Sequence, residues 1–205
     1  MRKTMNKKPQ GRPRRFDRDQ ALDAAMLLFW RHGYEGASIA QLTQAMGVNP
    51  PSLYAAFGSK EQLYIATLHH YLSTVGGAGI GGLETAPTAR EGVAHLLREA
   101  AKAFTRPSYP PGCMIAVGSL RCSLENQVTE RETAALRKLS QEVLTRRLVR
   151  ARTEGELPAR TPVKSLAAYY AAVVEGLSVQ AQDGADRDEL FAICAIAMRA
   201  WPDPR

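Results

Sequence analysis

The sequence predicts an all-α protein of about nine helices. Three observations carry this: apolar residues recur at helical spacing along most of the 205 residues, capping residues precede each run, and no convincing period-2 strand appears.

The elements follow in order. Phe16 precedes an Asp17 N-cap with Gln20 three positions on, a capping-box variant. Leu22, Ala25, Met26, Phe29 and Trp30 then repeat at i, i+3, i+4, i+7 and i+8, and Gly33 can close the helix. Ser38 with Gln41 opens a second helix, whose Ile39, Leu42 and Met46 face inward and which Gly47 stops. Asn49 caps a short third helix with Pro50 at its tolerated first position. Ser59 with Gln62 opens a fourth, running to about Val75. Residues 76–87, rich in glycine, read as a flexible linker. Thr88 with Glu91 starts the next helix, which ends before Pro107. A helix over about Cys113–Leu124 follows, then a long one opened by Thr129 and Glu132 and closed near Gly155 and Pro158. The last two cover roughly 162–182 and 187–201, the final one capped by Asp186 with Glu189.

Composition narrows the class. Hydrophobic residues make up 45% and no run reaches membrane-spanning length, so a globular chain with no membrane partner is expected. The basic N-terminus lacks an apolar signal core, because Pro9, Gln10, Gly11 and Arg12 come next. Cys113, Cys122 and Cys194 form neither a metal-ligand pattern nor an even disulfide set, which fits a reducing, cytoplasmic setting. His32, His69, His70 and His95 sit in no nucleophile or metal constellation. No catalysis, metal or cofactor is therefore expected.

The net charge of +7 is unevenly placed: residues 1–20 hold eight basic side chains against Asp17 and Asp19. A basic arm on a near-neutral body points to a polyanion partner, or else to a merely solvated tail. The stretch SIAQLTQAMGVNPPSLYAAF at 38–57 reads as a helix-turn-helix. Gly47 permits the bend, Val48 plugs the corner, and Leu53 and Phe57 hold the second helix down. Asn49, Pro51, Ser52 and Tyr54 are left outward for a DNA groove. On pattern alone an ordinary αα-corner is the alternative; the basic arm upstream favours DNA.

Residues 18–64, above all AAMLLFWRHGYEGASIAQLTQAMGVNPPSLYAAFGSKEQLY, resemble the DNA-binding domain of tetracycline-repressor (TetR/AcrR) family regulators. The HGY helix end, Ser38 cap, AMGV turn, LYAAF helix and GSKEQL entry stand in the right order over more than forty residues. PPGCM at 110–114, GELP at 155–158, EGLSVQAQDGA at 175–185 and AMRAWP at 197–202 resemble a subgroup of that family.

The resemblance implies a basic arm over 1–15, a DNA-binding domain over 16–62 and an effector-binding and dimerising body over 63–205. Tyr54, Lys60 and Ser38 match phosphate contacts, with Lys60 near the amino end of a helix where the dipole also attracts phosphate. Pro51 and Ser52 match positions near base edges, with Thr43 and Gln44 close by. Pro51 offers only apolar contact, so few direct base readers remain. Arg12 and Arg14, on a slim Gly-Arg-Pro-Arg segment, suit a narrow A·T-rich minor groove.

In the body, the helix at 162–182 carries two apolar stripes, one with Tyr169 and Val173, the other with Ala171, Val174 and Ser178. The resemblance implies that this helix and the last one pair with their copies in a homodimer. The expected contacts are Ala171, Val174, Ser178, Ile193, Ala197 and Trp201. A cavity for a small-molecule effector is expected among Leu72, Leu97, Ala101, Phe104, Met114, Val117, Arg121, Tyr169 and Val173. Arg121 either pairs with a carboxylate or meets an anionic ligand. Cys113, at a helix start, is either a thiol made reactive by the helix dipole or an inert buried one. The expected function is a ligand-released repressor of near-palindromic operator DNA. A constitutive architectural regulator is the alternative, and an enzyme or carrier a third class.

Residues 1–15 hold seven positive charges, no acid and no apolar periodicity, so the arm is expected to be disordered alone and to order on DNA. Deleting it should leave helical content intact but weaken DNA binding, most for A·T-rich flanks, as measured by anisotropy titration. Unchanged affinity on either flank would make the arm passive.

Overall fold

The computed structural model describes residues 17–118, 123 and 126–202. Ten α-helices occur among these residues: α1 (Arg18–Gly36), α2 (Ile39–Met46), α3 (Pro50–Phe57), α4 (Lys60–Tyr71), α5 (Ala78–Thr85), α6 (Ala89–Phe104), α7 (Met114–Val117), α8 (Gln127–Thr153), α9 (Val163–Gln182) and α10 (Arg187–Ala197). No strand appears among them.

The expected caps are in place because each short polar side chain satisfies an amide the helix leaves unpaired. Asp17 accepts from Asp19 and Gln20, Asn49 from Ser52, Ser59 from Gln62 and Thr88 from Glu91. Ser38 with Gln41 and Asp186 with Glu189 form full capping boxes. Gly33 kinks α1 at φ 69°, and the helix resumes to Gly36 instead of stopping.

Two expectations are corrected. The glycine-rich stretch is no linker: Leu72–Gly76 forms a π-helical turn and α5 follows it. Leu83, 1% exposed, anchors α5, while glycines let it approach α6 closely. A Cβ at Gly82 would stand 2.2 Å from His95 Cδ2, and one at Gly79 3.0 Å from Leu96 Cδ1. Second, α8 begins at Gln127, so Thr129 is inside the helix, its hydroxyl donating to the Asn126 carbonyl at 2.8 Å. Of the helix expected over 113–124, the described residues include the four of α7. Most of its remainder, including Arg121 and Cys122, lies outside the described residues.

Two apolar clusters organise the chain. One gathers α5, α6, α8, α9 and α10 around Leu97, Leu148, Tyr170 and Leu190. The other joins α1–α3 to α4 and the start of α7: Phe29, Leu42, Leu53 and Tyr64 share it with Tyr71, Met114 and Ile115. The core of the first helices therefore continues past the boundary expected at residues 62–63.

The loop after α8 is tied back to α6 by a buried ion pair. Arg147, 2% exposed, donates from Nη1 to Glu156 Oε1 at 3.0 Å, and Glu156 also accepts the Ala89 amide at the start of α6. Burial opposes the Glu156 charge, but the Ala89 amide and Arg147 outweigh it and hold its carboxyl below the usual range. The clamp's contribution is thus complete above the unfolded carboxylate value of about 4.3. It is lost as pH falls through the lower folded value.

Two glycines of this region should respond oppositely to alanine. Gly81 is exposed in α5 with nothing near a added Cβ, so Gly81→Ala should stabilise by about 0.5–1 kcal/mol. At buried Gly92 in α6 a Cβ would stand 2.8 Å from the Leu83 carbonyl oxygen, so Gly92→Ala should destabilise by about 1–3 kcal/mol. Denaturant unfolding of both variants checks the pair; matching changes would mean α5 does not pack on α6 as described.

Candidate nucleic-acid interface

The turn between α2 and α3 is set by Gly47, in the left-handed region at φ 66° and ψ 31°. A Cβ-bearing residue there would be strained. Leu42, Leu53 and Phe57 bury the inner faces of the two helices, so α3 has only one face left for solvent. That face carries Pro51, Ser52, Tyr54 and Ala55, and Tyr54 is 45% exposed. Gln44 is exposed on α2 nearby.

Lys60 is the first residue of α4, and its ammonium lies 4.4 Å from the centre of the Tyr34 ring. Partial burial lowers its pKa, while the neighbouring Glu35 charge acts the other way. A cation fixed at a helix amino end beside free amides favours an anion.

Several expected contacts are modified by their bonding. Thr43 is 7% exposed and its hydroxyl donates to the Ile39 and Ala40 carbonyls at 2.9 and 3.0 Å, so it is turned into α2, away from a groove. The Asn49 side-chain Oδ1 accepts the Ser52 amide at 2.9 Å and serves α3 as a cap. The Ser38 amide and hydroxyl both donate to Gln41 Oε1, at 2.9 and 2.8 Å, so a phosphate would have to displace that carboxamide. Arg12 and Arg14 lie outside the described residues. Sequence reasoning passed over Arg18, whose guanidinium sits 5.2 Å from the centre of the Phe57 ring at the end of α3. Its signal was present, since it continues the basic run of the arm.

A cavity of about 130 Å³ lies where the end of α4, the π-turn and α5–α9 meet. Tyr71, Leu72, Val75, Ile80, Leu83, Phe104 and Ile115 make its wall mainly apolar, with Glu99, Arg106, Arg137, Ser140 and Glu175 also on it. Of the residues expected there, Leu72 and Phe104 line it. Leu97, Ala101 and Met114 are instead fully buried core, because they face neighbouring helices. Tyr169 is 40% exposed and Val173 packs against the body core, so neither lines the cavity. Val117 has no described side chain, and Arg121 is outside the described residues.

Cys113 also borders the cavity, accepting a hydrogen bond from the Tyr71 hydroxyl at 3.3 Å. Burial pushes its thiol pKa up, and α7 is too short to supply a strong dipole. Of the two readings of this cysteine, the geometry supports the neutral thiol, partly buried on the cavity wall. The expected pairing surface is likewise redistributed. Ser178, Ala197 and Trp201 are buried in their own protomer, and Ser178 Oγ accepts the Cys113 amide at 2.8 Å. Ala171 and Val174 line the cavity, and Ile193 packs on the body core.

No group of three metal-ligating side chains occurs among the described residues, and no helix there is long and apolar enough to cross a membrane. Residues 21–67 match the profile of the bacterial regulatory proteins, tetR family. Over 198 residues, 96% of this chain and 94% of the relative, the sequence is 33% identical to the HTH-type transcriptional repressor ComR of Escherichia coli (strain K12). The chain belongs to the tetR family. It is therefore a transcriptional regulator and not an enzyme. A second tetR-type relative, the HTH-type transcriptional repressor BdcR of the same organism, is 31% identical over 93% of this chain and 91% of its own. Among solved structures, a cysteine mutant of the TetR family regulator CifR complexed with 26 bp double-strand operator DNA is 48% identical. It covers 93% of this chain and 100% of its own at a TM-score of 0.90.

Lys60 is charged whereas Pro51 and Ser52 are neutral, so the two kinds of residue should affect DNA binding differently. Lys60→Ala should weaken binding to every duplex and lower the salt slope by about one, while Pro51 or Ser52 substitutions should change sequence preference with the slope kept. Anisotropy titrations at several salt concentrations measure both quantities. A specificity loss from Lys60→Ala as large as that from Ser52→Ala would contradict the division.

Proposed function

We propose that this tetR-family regulator is a repressor that binds near-palindromic operator DNA as a homodimer and is released by a small, largely apolar effector. The observation that carries the DNA reading is the free face of α3, with Pro51, Ser52 and Tyr54 outward and Lys60 beside it at the start of α4. The inner face is committed to the core, so the outer one is held rigidly for a major groove. Likeness to a relative complexed with operator DNA supports the same arrangement as DNA-competent.

Pairing is supported by an apolar stripe that the protomer leaves uncovered. Tyr169, Ala172, Gly176 and Val179 share one side of α9, and Ile196, 62% exposed, adds α10. Tyr169 and Val179 are themselves about 40% exposed, at 40% and 42%. On α9 this side faces away from Ser178, and on α10 Ile196 lies about 100° round the helix from buried Ala197. Small residues at 172 and 176 allow two helices to approach closely, and a homodimer places two α3 helices on one duplex.

The effector class follows from the cavity. Its volume of about 130 Å³ compares with the roughly 150 Å³ that holds a benzene-sized molecule. Two arginines and two glutamates on the wall offset one another, which favours an uncharged occupant with a polar atom near Tyr71, Ser140 or the arginines. Such a molecule shifts the balance only if it binds the released conformation more tightly than the DNA-bound one.

Val179→Glu combined with Ile196→Glu should shift the protein from dimer toward monomer in light scattering at micromolar concentration, and should weaken operator binding with it. A wild type that runs as a monomer, or a double variant that dimerises unchanged, would contradict this pairing surface. The effector reading is tested by screening small uncharged aromatics for release of bound DNA in a gel shift. Release that persists when Ala103→Phe narrows the cavity would remove the cavity from the function.

A further inference from the structure

Glu35 stands in the last turn of α1, where the head meets the body. One of its oxygens, Oε1, accepts two hydrogen bonds from the segment leading into α8. The Ser123 amide donates at 3.0 Å and Asn126 Nδ2 at 2.8 Å. Asn126 Nδ2 also donates to Ser123 Oγ at 2.9 Å, so the two donors are held together. These bonds keep the Glu35 carboxyl below its usual range, and its charge acts on Lys60.

Nothing local demands this arrangement. Glu35 is exposed, its partners are 88 and 91 positions away in sequence, and a surface carboxylate of this kind adds little to stability. Its placement is more informative. On one side it adjoins Lys60, at the DNA-facing end of α4. On the other it holds the start of α8, and three turns further along α8 Arg137 Nη1 donates to the Ile115 carbonyl at 2.9 Å. Ile115, Ala116 and Arg137 are cavity wall. One helix is thus bonded both to the cavity wall and to the residue beside the phosphate-binding lysine.

We propose that Glu35 is a positioning residue: it latches α1 to the start of α8, holds the head in its DNA-competent orientation, and carries movement of the cavity wall to Lys60. This rests on the reading that the head binds operator DNA. Filling the cavity moves Ile115 and Arg137, α8 shifts, and the latch transmits or breaks. By reciprocity, DNA binding at the head must also be felt at the cavity wall.

The two chemically similar changes at Glu35 separate charge from latch. Glu35→Gln removes the charge but keeps Oε1 as an acceptor, whereas Glu35→Ala removes both. The full-length wild type, these two variants, Asn126→Ala and the Glu35→Ala/Asn126→Ala double variant are titrated with the duplex that the wild type enriches from random-sequence DNA. Amide hydrogen exchange over residues 113–118 is followed with and without that duplex.

Glu35→Gln should bind at least as tightly as wild type, since a negative charge near DNA is gone. Glu35→Ala should bind about fivefold or more weakly than Glu35→Gln, at the lower end of ordinary coupling between sites. Asn126→Ala, which keeps the Ser123 amide bond, should be weakened but no more than Glu35→Ala, and the double variant should be no weaker than Glu35→Ala. The duplex should change exchange over 113–118 in wild type and Glu35→Gln but not in Glu35→Ala. Equal binding by Glu35→Ala and Glu35→Gln, or losses that multiply in the double variant, would overturn the latch and leave operator binding standing. A wild type that enriches no duplex would overturn the operator reading and the latch with it.

Discussion

Tyr64 and Tyr71 lie seven residues apart on α4, on one face of the helix, and both are almost completely buried. Tyr64 meets Phe29 edge-on at 5.0 Å and Tyr34 at 5.2 Å, while Tyr71 meets Trp30 edge-on at 4.9 Å. Each such pair adds about 0.5–1.5 kcal/mol beyond the area it buries. α4 is therefore held to α1 along its length. The first turn of α4 carries Lys60, the proposed DNA contact, and its last residue walls the cavity.

The cavity consequently shares side chains with the core that fixes the head. Tyr71 meets Trp30 of α1 edge-on and donates to Cys113, which is itself cavity wall. Gly118 closes the arrangement from the other side: a Cβ there would stand 2.2 Å from the Met114 carbonyl oxygen and 3.0 Å from the Tyr64 hydroxyl. Glycine lets the end of α7 sit directly on the α4 aromatic. Close packing of this kind transmits small displacements instead of absorbing them, which suits a regulator whose two ends must respond to one another.

Much of this was legible in the sequence, for a physical reason: helix ends are local chemistry. Asp17, Ser38, Asn49, Ser59, Thr88 and Asp186 cap the helices they were expected to cap, and the Gly47 turn with buried Leu53 and Phe57 makes the helix-turn-helix. What was not legible depends on partners distant in the chain. Periodicity shows that α9 has two apolar faces, but not which one meets its own protomer; Ser178, Ala197 and Trp201 are buried within it. Glycine at 79 and 82 signals a loop by propensity, yet here it admits Leu96 and His95. Thr43 looks like a groove contact until its hydroxyl is seen to bond back to Ile39 and Ala40. Glu35 gave no signal, because its partners lie far along the chain.

Through the α1–α4 aromatic contacts, head and body should unfold as one cooperative unit. This claim is tested most directly by equilibrium denaturation of the Trp201→Phe protein, in which Trp30 is the sole tryptophan. Trp30 fluorescence then reports the head–α4 contact while far-UV circular dichroism reports all the helices. A shared core gives superimposable transitions with one midpoint and one slope at a fixed protein concentration. Loss of the Trp30 signal at clearly lower denaturant than the helical signal would mean that the head is released before the body unfolds, and would contradict the claim.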